Sequence, residues 1–354
     1  MTLDPKPKHR MKYVTKHLTI APVAAALLFL GCHAGGQGPT DDGGAVDLTL
    51  SSDGGRLVDL TRSGAPDLAP ACPMCGKFAA PKDLGPLPGE LTEASGLAAS
   101  RANPGVLYSH NDSGGGARFY AISEAGVLLA TINLPGVTMD DTEDIAVGPC
   151  PTGTCVYLGD IGDNAHVRTS RKVVRVNEPV LKQGETGKTL TATGLEQLPF
   201  SYPGDARNNA ETLLVHPQTG DIYVATKEAA GVRSTLYKFP QPLTPGRVAV
   251  LSRVAELPIP KPDDQDLSGG DIQPCGGAVL FRTGNRLYLL RAMAGQGFEA
   301  LFSPPSADAP YVLEVPAASE ANGESVAWNS AGTGYFTTSE GKGEQLHGVT
   351  CLSF

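Results

Sequence analysis

From residue 90 to the C-terminus the apolar residues come in short runs separated by Gly, Pro, Asn and Asp. Runs of that length, bounded by turn residues, predict β-strands. They recur as a unit that opens on an acidic residue and a small apolar strand: Glu93-Ala-Ser-Gly-Leu-Ala, Glu143-Asp-Ile-Ala-Val-Gly, Glu211-Thr-Leu-Leu-Val-His, Asp271-Ile-Gln-Pro and Glu324-Ser-Val-Ala-Trp-Asn. A second strand ending in polar residues follows, at Val106 to Asp112, Val156 to Asp160, Ile222 to Glu228, Val279 to Thr283 and Tyr335 to Glu340. Third strands are expected at Arg118 to Ile122, Val173 to Val176, Leu236 to Phe239 and Leu287 to Leu290. Fourth strands are expected in most units, for example Val127 to Ile132 and Val248 to Leu251.

The opening acids stand 50, 68, 60 and 53 residues apart. Four strands per 50–70 residues, repeated, predict an all-β fold: a β-propeller of five four-stranded blades, over residues 72–354. A sixth blade fits only if the long step from Glu143 to Glu211 hides a degenerate one. The last unit runs out of chain at its third strand, so residues 77–90 are expected to supply the fourth and close the ring. A β-sandwich would not require an acid at the same place in each unit. Composition agrees: 43 Gly and 29 Pro in 354 residues leave too few uninterrupted turns for a helical bundle.

Residues 1–31 read as a signal peptide. Lys6, Lys8, Arg10, Lys12 and Lys16 precede an apolar run from Leu18 to Leu30, too short to span a bilayer. It ends in Phe29-Leu30-Gly31-Cys32, which resembles the lipobox of bacterial lipoproteins, with Cys32 as the lipidated residue. Phe29 departs from the usual aliphatic residue there, and Met11 opens a tidier leader. Residues 32–71, rich in Gly, Asp, Ala, Pro, Ser and Thr and lacking aromatics, read as the lipidated cysteine and a flexible linker. The expected location is the bacterial cell envelope, on the membrane through the lipid anchor.

The whole chain carries a formal −9, and without residues 1–31 it holds 23 basic against 36 acidic residues, a net −13. That balance excludes a nucleic-acid backbone binder. A monomer is expected.

Six cysteines remain beside Cys32, an even number in an oxidising compartment, which predicts disulfides. Cys150 and Cys155 flank one turn and are expected to bridge it. Cys72 and Cys75 form a C-x-x-C with no strand before it and Gly76 and Pro81 after it, so bridging outweighs redox chemistry. Cys351 is a candidate partner for that pair, tying the termini together, while Cys275 has no clear partner among 15 arithmetically allowed pairings.

First strands line the channel of a propeller, so their opening acids converge on one mouth. The candidate metal ligands are Glu93, Asp112, Glu143, Asp160, Asp163, Glu211, Asp271 and Glu324, with Glu228, Glu340, Asn111 and Asn164 nearby. Carboxylates so gathered need a cation, protonation or water. Calcium fits best, since it takes 6–8 oxygen ligands. The competing expectation is that such acids accept hydrogen bonds from the neighbouring blade. Beside the acids, His110 and His166 are the candidate general bases. Lys227 and Arg282 either bind an anionic substrate or pair with the acids. Nucleophile-elbow, P-loop, zinc-protease and dinucleotide motifs are missing.

The runs Ser109-His-Asn-Asp-Ser-Gly114, Asp141-Thr-Glu-Asp-Ile-Ala146, Gly159-Asp-Ile-Gly-Asp-Asn164, Ala210-Glu-Thr-Leu-Leu214 and Ser339-Glu-Gly341 resemble a group of uncharacterised secreted bacterial β-propeller proteins. In that group the second run usually has Trp where this chain has Thr142. More distantly the pattern is similar to alkaline-phytase, gluconolactonase/paraoxonase and strictosidine-synthase-like propellers. The near resemblance implies fold and export and brings no activity with it. Three functions follow: a tethered propeller that binds a cation and a ligand, a calcium-dependent lactone or phosphoester hydrolase, or an envelope protein-interaction module.

Overall fold

The computed structural model describes residues 72–229, 231–260, 266–292, 296–302 and 312–354, and the leader, Cys32 and linker assigned above lie outside them. Among the described residues five sheets, each with an antiparallel core of four or more strands, form the blades of a propeller, and no α-helix occurs.

Blade 1 runs from the channel outward as Ala94–Ala99, Val106–Asn111, Arg118–Ser123 and Leu128–Asn133. Blade 2 is Thr142–Cys150, Gly153–Asp160, Arg171–Asn177 and Glu196–Ser201; blade 3 is Ala210–Val215, Ile222–Thr226, Thr235–Lys238 and Ser252–Glu256. Blade 4 is Leu267–Ile272, Ala278–Thr283, Arg286–Arg291 and Val312–Val315. Blade 5 has Gly323–Trp328, Gly334–Ser339 and Gln345–Ser353 from the C-terminal end, and takes its outer strands, Lys82–Pro86 and Lys77–Phe78, from the N-terminal side. Lys82 pairs with Gly348 and Phe78 with Cys351, so the last blade closes as the sequence predicts.

Burial follows from this stacking. Each sheet has two apolar faces, and every face packs on a neighbouring blade. Tyr157, Phe200 and Tyr202 of blade 2 meet Leu213, Val224 and Phe239 of blade 3, for instance, and Trp328 and Tyr335 of blade 5 meet Leu280 and Leu289 of blade 4. Five such clusters stand between the five blades. Central strands buried on both faces explain the near-continuous apolar runs of the first and second strands.

Two details differ from expectation. Val248 to Leu251 is not the fourth strand of blade 3: Ala249–Val250 pairs parallel with the outer strand of blade 2, and Ser252–Glu256 takes the fourth place. The long step between Glu143 and Glu211 holds no sixth blade. It holds an excursion whose strand, Lys188–Thr191, pairs parallel with Leu128–Asn133 and extends blade 1.

Three disulfides are present. Cys150–Cys155 bridges the expected turn, Cys75–Cys351 ties the N-terminal segment to the last strand, and Cys72–Cys275 ties it to blade 4. The last pairing gives Cys275 its partner.

Candidate functional site

Every inner strand carries a one-residue irregularity where it meets its neighbour. The register skips Ser95 in blade 1, Glu143 in blade 2, Glu211 in blade 3, Ser268 in blade 4 and Glu324 in blade 5. A bulge re-aims the extra side chain, so these five positions are equivalent around one rim. The two serines bond the next blade: Ser95 Oγ donates to the Glu143 carbonyl at 2.8 Å and Ser268 Oγ to the Gly323 carbonyl at 2.9 Å. The three glutamates form the acidic part of the rim.

Two further acids join Glu143. The Thr142 N–H donates to the Asp112 carbonyl at 3.3 Å, which brings the end of a blade 1 strand against the start of blade 2. One oxygen each of Asp112, Asp141 and Glu143 lies within 4.8 Å of the others. Oxygens on opposite sides of one calcium stand about 4.6–5.2 Å apart, so the three fit around a single ion. Glu143 is 3% exposed, and its Oε1 and Asp112 Oδ1 are buried without a hydrogen-bond partner. Buried polar atoms in native folds nearly always have partners, so these oxygens call for a proton or a ligand. The Gly162 backbone closes the site, and its N–H donates to the Asp141 carbonyl at 3.2 Å.

The electrostatics report the same crowding. Burial, then Glu211, Asp112 and Asp141, push the Glu143 carboxyl up to about 10. Burial, then Asp141 and Glu211, raise Asp112 to about 7. Burial, then Glu211, raise Glu324 to about 8, against the pull of Lys227. Glu211 is raised by burial although Lys227 Nζ donates to its Oε1 at 2.8 Å.

The other predicted ligands have partners of their own, and Asp160 Oδ1 accepts the Asp141 N–H at 3.1 Å beside the site. Glu93 lies two residues ahead of the blade 1 bulge, its N–H held by Asn111 Oδ1 at 3.1 Å. Asp271 lies three residues past the blade 4 bulge and accepts the Trp328 N–H of blade 5 at 2.8 Å. Asp144 does the same between blades 2 and 3, accepting the Leu213 N–H at 2.9 Å. Burial raises the Asp271 carboxyl to about 7. These two acids lace blades together. Asp160 is committed to Arg168 and Lys172, each at 2.6 Å, and Asp163 to Arg171 and the Val167 and Arg168 N–H groups. Asn164 bonds Asn209.

His110 is 1% exposed, with Nδ1 3.0 Å from the Asn111 carbonyl oxygen, and burial lowers it to about 4, so it is neutral. His166 is exposed and its Nδ1 faces the Arg207 carbonyl at 2.6 Å. Lys227 and Arg282 both pair with acids, Arg282 with the buried Glu320. Two surface cavities, of about 570 and 340 Å3, include none of the rim acids among their lining residues.

Sequence reasoning missed Asp141 as a ligand, although Asp140-Asp141, one residue short of Glu143, signals it. Gly162 was visible only as part of the Gly159 to Asn164 run.

No protein-family model matches the chain. No curated protein matches it either. Among solved structures, the PQQ-bound aldose sugar dehydrogenase of Streptomyces coelicolor is similar at 14% identity and a TM-score of 0.44, over 77% of this chain and 98% of that one. At that score the likeness carries nothing about the site.

Proposed function

We propose that this chain is an exported, lipid-anchored propeller that binds one divalent cation, calcium by its chemistry, at the acidic mouth of the channel and offers the ion's remaining positions to a small-molecule or protein ligand. The observation that carries the proposal is the buried, unpartnered Glu143 Oε1 beside Asp112 and Asp141. All three donors are hard carboxylate oxygens, the ligand type of calcium and magnesium. With one oxygen from each of the three side chains, three to five of calcium's 6–8 positions are left for backbone, water or ligand.

Equilibrium dialysis of the purified protein against calcium, followed by elemental analysis, tests the proposal. One bound ion per chain is expected, and none in Glu143→Gln, which removes one of the three charges without changing side-chain size. A metal-free wild type, or a variant that keeps its ion, contradicts it.

A further inference from the structure

The rim glutamates do not all stand in the same company. Glu143 faces Asp112 and Asp141, and its buried Oε1 has no hydrogen-bond partner. Glu211, on the equivalent bulge of the next blade, is only 4% exposed and holds the Lys227 ammonium at 2.8 Å. Lys227 is also drawn by Glu324 and Glu143, so it stands in the field of all three bulge positions. Arg282, the other cation near Glu324, is buried and spent on Glu320 and on the Ser325 carbonyl at 2.9 Å.

We propose that Lys227 is the fixed counter-ion of the mouth: it occupies the Glu211 side of the rim, confines the divalent cation to the Asp112–Asp141–Glu143 side, and sets its affinity. This rests on the cation site proposed above. The warrant is charge and place. A monovalent ammonium on a side chain costs rotamer freedom but no translational entropy and neutralises one carboxylate, where a free ion would have to be recruited from solution. Its positive charge also repels the bound cation and weakens it, and that effect falls off with distance and screening.

Calcium calorimetry on the full chain separates the possibilities. Lys227→Met is expected to bind calcium about tenfold more tightly, or to take a second ion, because Glu211 loses its partner. Lys227→Arg should restore wild-type affinity and one ion. Lys227→Met/Glu211→Gln, which restores the net charge of the mouth, should return the count to one. If wild type binds one ion and Lys227→Met binds it with the same affinity and count, the counter-ion role is overturned while the cation site stands. If wild type binds no calcium, the site itself fails first. A lower melting temperature in Lys227→Met with unchanged binding overturns the inference too, since it marks a purely structural pair.

Discussion

A Cβ at position 162 would stand 2.1 Å from Glu143 Oε1 and 2.5 Å from an Asp141 oxygen, closer than any real contact. Only glycine lets the chain pass this near to two carboxylates. Gly162→Ala should therefore splay the acids and weaken calcium binding by tenfold or more in calorimetry. Asp271 gives the opposite expectation. Asp271→Ala orphans the buried Trp328 N–H, which costs about 1–3 kcal/mol by denaturant unfolding, and leaves calcium affinity unchanged. At this scale the sequence was partly legible. Glu143, Glu211 and Glu324 were recognisable because each opens an apolar strand. Glu93 and Asp271 looked equivalent to them and are not: the equivalent places hold Ser95 and Ser268. A bulge is a property of pairing between two strands, so counting along one strand cannot locate it.

Blade 5 is assembled from both ends of the described chain, and two disulfides secure the joint. Crosslinks act through the loop they close in the unfolded chain. With Cys72–Cys275 intact, Cys75–Cys351 still closes a path of roughly 80 residues, whereas Cys150–Cys155 closes a separation of only 5. Replacing the pair Cys75/Cys351 by serine should thus cost about 2 kcal/mol more than replacing Cys150/Cys155, read from denaturant midpoints. It should also expose Lys82–Pro86 to limited proteolysis, because that strand is paired only on one side. The strand pattern was legible because each blade buries both faces of its inner strands. The parallel additions, Lys188–Thr191 and Ala249–Val250, were not: they are short, largely solvent-facing, and follow no alternation. The Cys275 pairing depends on which blade the N-terminal segment crosses, a fact of tertiary structure alone.

Over the whole molecule, the mouth makes stability depend on pH. Asp112, Glu324 and Glu143 are raised to about 7, 8 and 10 from ordinary values of 3.8, 4.5 and 4.5. A carboxyl whose folded value is raised binds its proton more tightly when folded, so its contribution is fully present below the unfolded value and is lost as pH climbs through the folded one. Without calcium the protein should lose stability from about pH 3.8 to about 10, the window those three groups span. A calcium ion at the proposed site would bind the ionised carboxylates and displace their protons, so its affinity should rise across the same window. The most direct test is thermal melting at pH 8 with saturating calcium and with chelator, in wild type and Glu143→Gln. A ligand that binds only the folded state at 100 times its Kd adds about 2.7 kcal/mol, so the wild-type midpoint should rise clearly with calcium and the variant's should not. Identical midpoints for wild type in calcium and in chelator would contradict a cation site at the mouth.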